Sequence, residues 1–255
     1  MRAVRTRHLI AAVAVAPLAA ACSSATTGEP PVSLTAPASP TVPASPAAVT
    51  KMLPDGYVPL WPFASAGEVA AWQRSHRSGG HSPWHLDAAQ TALSFASGYL
   101  GLPGIDRVTK PVIGRTEAHI GVGYRAERNA DGTAAIVHLF RVGAEEDAPW
   151  EVVGTDDTTF TLTTPSYGSK ATSPVRVGGR ISGVDESIRI RVRGLASDTP
   201  LGGFCCLPAG GERFPWTARL TFRNAPPKAV LTIVASTGGH LAEVERFAVT
   251  GVRTP

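Results

Sequence analysis

Apolar positions recur along this chain with two periods, and the change from one to the other divides it. Val69, Trp72 and His76 fall at helical spacing behind Ser65-Ala66-Gly67-Glu68, a capping box whose hydroxyl and carboxylate satisfy the free N–H groups of a first turn. Asp87-Ala88-Ala89-Gln90 opens a second helix, with Ala89, Ala92, Leu93, Ala96 and Leu100 on one face and Gly101 and Pro103 as its stop. The period then drops to two. Ala118, Ile120, Val122, Tyr124 and Ala126 alternate with Glu117, His119 and Arg125, and a turn at 129–132 leads into a second strand over 133–142. Two shorter strands are predicted over 150–154 and 159–163. The first half, residues 51–165, is therefore expected to be an α+β domain, two helices on an antiparallel sheet.

A break is predicted at 165–173, where Pro165-Ser166-Tyr167-Gly168-Ser169 interrupts the strand patterns. Beyond it only period two remains. Ile188, Ile190 and Val192 alternate with Arg189, Arg191 and Arg193; Trp216, Ala218, Leu220 and Phe222 alternate with Thr217, Arg219, Thr221 and Arg223. Ala229, Leu231, Ile233 and Ala235 form a third such face, and Phe247 with Val249 begins a last one. About seven short strands separated by turns are the pattern of a β-sandwich over residues 172–255.

These residues also carry a resemblance. Ser173-Pro174-Val175-Arg176-Val177-Gly178-Gly179, the strand from Ile188 to Arg193, Pro215-Trp216-Thr217-Ala218-Arg219-Leu220-Thr221-Phe222, Leu231-Thr232-Ile233-Val234 and the closing Phe247-Ala248-Val249 resemble the immunoglobulin-like domain associated with bacterial spore-germination proteins. The resemblance implies an immunoglobulin-like sandwich outside the cytoplasm that binds or scaffolds rather than catalyses. The chain departs from that pattern at Gly203-Phe204-Cys205-Cys206-Leu207 and in its helical first half, so germination itself is not implied.

The N-terminal residues change the picture of location. Arg2, Arg5 and Arg7 precede an apolar stretch from Leu9 to Ala21, too short to span a bilayer and ending in Leu18-Ala19-Ala20-Ala21-Cys22. Residues 1–21 are expected to be a signal peptide, and Leu-Ala-Ala-Ala-Cys resembles a lipobox. That resemblance implies cleavage before Cys22 and covalent diacylglycerol on its thiol as the only attached group, with no cofactor. Leu18 lies four places before the cysteine, where three is commoner, and Ala19-Ala20-Ala21 is also an ordinary secretory cleavage site. Residues 22–50 carry prolines at 30, 31, 37, 40, 43 and 46 and few large apolar side chains, so they read as a disordered tether. Loss of the leader removes three basic and no acidic residues, which lowers the net charge of +4 to about +1 and takes away the main support for nucleic-acid binding, which would want a concentrated basic face. Arginine far exceeds lysine among the 24 basic residues, as in GC-rich bacteria, actinobacteria among them.

Candidate chemistry is sparse. The vicinal Cys205 and Cys206 form a strained disulfide, remain two reduced thiols or bridge to another chain. The row Arg189, Arg191 and Arg193 is a solvated face or a surface for an anionic partner. His76, His81 and His85 near Asp87 do not line up on one helical turn, because Pro83 lies among them, so no metal ligands are expected. No catalytic residues are assigned: the nucleophile elbow, the zinc-protease motif and a phosphate-binding glycine loop are all missing from the sequence. The expectation is a lipid-anchored binding or scaffold protein on the outer face of the cell membrane, with another envelope protein or a wall polymer as partner. The alternatives are an envelope hydrolase with its site in the first half, or a carrier of a small apolar ligand.

Overall fold

The computed structural model describes residues 50–126 and 130–255; the expected signal peptide over 1–21, Cys22, most of the expected tether and Asn129 of the first predicted turn lie outside the described residues. Helix α1 spans Ala66–Gly79. Its start follows the capping box, with Ser65 Oγ accepting from the Glu68 N–H and Glu68 Oε2 accepting from the Ala64 N–H. It ends where Gly80 turns left-handed (φ 74°) and returns its N–H to the His76 carbonyl. Helix α2, Ala88–Ser94, begins with Asp87 accepting from the Ala89 and Gln90 N–H groups, and passes into a π-helical turn over Phe95–Tyr99. No helix among the described residues is long and apolar enough to cross a membrane.

Two four-stranded antiparallel sheets follow. The first has the order β1-β2-β3-β4: β1 Arg107–Ile113, β2 Glu117–Arg125, β3 Asp131–Arg141 and β4 Trp150–Thr155. Strand β1 was not predicted; it is an edge strand whose Lys110-Pro111 breaks the alternation and whose Val112 and Ile113 are exposed. Segment 159–163 is not a strand of its own; it crosses β5 through an isolated bridge from Phe160 to Ile181 and hydrogen bonds such as Thr161 N–H to the Arg180 carbonyl at 2.9 Å and Ser182 N–H to the Thr159 carbonyl at 2.8 Å.

The second sheet has the order β6-β5-β7-β8, with β5 Val175–Gly194, β6 Gly202–Leu220, β7 Val230–Thr237 and β8 Arg246–Arg253. Fewer and longer strands occur here than predicted. The glycines of β5 and β6 sit within the ladder, where register shifts at Ile181/Gly183, Gly183/Glu186 and Ile188/Ile190 bend the hairpin instead of ending it.

Cores join these elements. Ala92, Phe95 and Leu100 pack on Ile120, Val137, Leu139 and Trp150, and the same cluster takes in Val234, Phe247 and Val249 from β7 and β8. Strand β7 is consequently buried on both faces. Phe160, Val177, Ile181, Ile190, Trp216 and Leu231 fill a second cluster. Residues 165–173 are stitched to both halves: the Tyr167 hydroxyl donates to the Val153 carbonyl at 2.7 Å and accepts from the Val58 N–H at 3.0 Å, while Ala171 donates to the Arg253 carbonyl at 2.9 Å.

Candidate metal centre

Strand alternation places Glu117 and His119, two residues apart on β2, on the same face of the first sheet. Their neighbours Ala118 and Ile120 point to the opposite, helix-covered face. Pairing of β2 with β3 sets His119 directly across from His138, and the two imidazoles stack with centroids 4.3 Å apart. One donor atom from each of Glu117, His119 and His138 lies within 4.8 Å of the others.

The three side chains already share contacts. His138 Nε2 is 2.8 Å from Glu117 Oε1, and His119 Nε2 is 3.4 Å from the same oxygen. On its other side His119 Nδ1 meets Asp156 Oδ2 at 2.8 Å. Asp156 is positioned just beyond β4 by its N–H donating to the Ile136 carbonyl at 2.9 Å. His138 is the most enclosed of the set, with Tyr57 edge-on at 5.3 Å and Phe140 at 4.8 Å. Burial lowers its pKa, against the opposing pull of the Glu117 hydrogen bond. It also lines a cavity of about 460 Å³ with Tyr57, Thr155 and Asp157.

Two imidazoles and a carboxylate converging in this way are a nitrogen and oxygen donor set suited to zinc or copper. No metal ligands are expected from the sequence, where Glu117 and His119 fall on the polar phase of one strand and His138 falls within the next. The one signal it held was that His119 shares the polar phase of β2 with Glu117.

The residues singled out in the sequence fall elsewhere. His76 stacks on Trp72 at 5.1 Å, and His85 is buried among Phe63, Trp72 and Trp84, where burial lowers its pKa to about 4. Neither joins a donor cluster with His81. The arginine row is graded: Arg189 is exposed, Arg191 half-buried, and Arg193 buried beneath Tyr99 with its guanidinium 5.1 Å from the ring centre. Arg193 also donates to the Asp198 carbonyl at 3.1 Å, so it belongs to the packing between the sheet and the α2 turn. Cys205 and Cys206 are joined by a disulfide across a cis peptide bond, and both are exposed. Cys22 lies outside the described residues. No protein-family model, curated protein or solved structure matches this chain.

Proposed function

We propose that this protein is a lipid-anchored, extracytoplasmic binding protein of the bacterial envelope whose folded part holds one divalent transition-metal ion, zinc the best match, between Glu117, His119 and His138. The observation that carries the metal reading is the convergence of three donor atoms within 4.8 Å, backed by Asp156 on the far nitrogen of His119. A carboxylate there fixes the Nδ1–H tautomer and leaves the Nε2 lone pair for the ion. Three protein ligands leave a fourth position for water or for a group from a partner, such as another envelope protein or a wall polymer.

The anchor rests on the leader and Cys22, with the membrane as its partner and nucleic acid excluded by the near-neutral mature chain. The second half is read as an immunoglobulin-like sandwich. In support, β5 pairs with β6 along its length, its N-terminal part also touches Phe160 and Thr164, and its C-terminal part also pairs with β7. On this reading the bent β5–β6 hairpin would contribute to both layers, and what supports it is that Trp216 and Ile190 share one buried cluster. An apolar cavity of about 570 Å³ lined by Leu60, Leu195, Leu201, Pro226 and Leu231 favours a second reading, carriage of a small apolar ligand.

Zinc titrated into the full chain, purified metal-free in a neutral detergent, is expected to bind at one equivalent. At a free concentration of 100 times Kd it adds about 2.7 kcal/mol of stability. His119→Ala combined with His138→Ala abolishes both effects, whereas His81→Ala leaves them intact. Stoichiometric binding that survives the double substitution sinks the metal reading. In the same cells Cys22→Ala is expected to release the protein from the membrane, and retention of that variant sinks the anchor.

A further inference from the structure

On the opposite half of the molecule, β5 carries a second constellation independent of the metal reading. Ile188 pairs with Leu207 and Ile190 with Phe204, so the ladder opposes the single residue Arg189 with the two residues Cys205 and Cys206. That is a β-bulge, a device that turns a side chain out of the regular sheet. On its other side Arg189 pairs with Ser236 of β7, and Arg191 pairs with Val234. Arg191 lies against the α2 exit turn, with its guanidinium 3.7 Å from where a Cβ on Gly101 would stand.

Together Arg189, Arg191, Cys206, Ser236, Gly238 and Glu243 help to line a cavity of about 280 Å³. Among the described residues no ion pair and no hydrogen bond engages either guanidinium. Burial disfavours the Arg191 cation, and the neighbouring Arg189 and Arg193 charges add to that cost. Glu243 is the one acidic residue lining the cavity, so two cations against one anion leave it with one uncompensated positive charge.

We propose that this cleft binds the singly charged phosphate of a phosphodiester. Two guanidinium forks springing from positions two apart on one strand approach an anion from two directions, about 7 Å apart at their roots. A tetrahedral phosphate accepts donors from both directions, whereas a planar carboxylate accepts two forks only in its own plane. Cys206 of the bulge lines the same cavity as both arginines. The exposed mouth, with Arg189 at its rim, admits either a free phosphodiester or a lipid headgroup.

The test uses the full chain in neutral detergent and two probes, glycerophosphoglycerol and a short-chain phosphatidylglycerol below its micellar concentration, followed by equilibrium binding. Saturable binding is expected with either probe. R189Q and R191Q together raise Kd at least tenfold with the thermal unfolding midpoint kept, while R176Q, on the exposed N-terminal part of β5, has no effect. Equal affinity for the two probes identifies the phosphodiester alone as the ligand, and a tenfold preference for the lipid identifies a headgroup with its acyl chains. Absence of binding to both probes, or binding unchanged in the double variant that remains folded, overturns the proposal.

Discussion

Glu151 is completely buried, with Oε2 accepting from the Phe63 N–H at 3.1 Å and Oε1 meeting no partner. Burial pushes its pKa well above the usual carboxyl value of 4.5. The folded chain therefore holds a proton that the unfolded chain has released, and stability falls as pH rises from about 5 toward the raised folded value. His85 works in the other direction. Its folded pKa of about 4 lies below the unfolded 6.5, so stability is lost as pH falls from 6.5 toward 4, by up to about 3 kcal/mol. Urea unfolding across this range is expected to show stability passing through a maximum. Glu151→Gln, neutral at every pH, removes the decline on the alkaline side and is at least as stable as the parent at pH 8. His85→Gln reduces the acid-side slope; two unaltered slopes would contradict these assignments.

Among the elements, the helices were legible because their signals are local: a cap, a face and a stop within a few residues each. Strands β2, β7 and β8 are legible from alternation, β3 from the turn before it and β4 as a short run after the acidic loop. Strand β1 was not, since an exposed edge need not alternate, and the long β5–β6 hairpin was mistaken for several short strands because its glycines resemble turns. At Gly179 the reason for glycine is closeness: a Cβ there would stand 1.9 Å from the Thr161 carbonyl oxygen of the crossing segment. Gly179→Ala is expected to push that segment off β5 and to cost roughly 2 kcal/mol in chemical denaturation. An unchanged midpoint would mean that the crossing is not held. The metal face depends on register in the same way. His119 meets His138 only because the β2–β3 ladder runs from Arg125↔Asp131 through a shift at Val122/Gly123. One residue of slip would turn one histidine to the other side of the sheet.

At the scale of the whole molecule, the described residues 50–126 and 130–255 belong to one compact unit, and Phe247 of β8 lies in the same cluster as Phe95, Ile120 and Leu139. A shared core couples the sheets. Phe247→Ala is expected to lower hydrogen-exchange protection in β2 and in β7 by the same amount, about 3–5 kcal/mol. Loss confined to the second sheet would instead mark two independently folding domains. What the sequence determined by itself was the set of elements that local physics fixes: helix caps and the apolar periods, each readable within a few neighbouring residues. Only the tertiary structure decided which distant polar residues meet. The Glu117, His119 and His138 cluster, the pairing of Arg189 with the cysteine bulge and the burial of Arg193 under Tyr99 follow from strand register and sheet packing, and these are set by contacts between residues far apart in the chain.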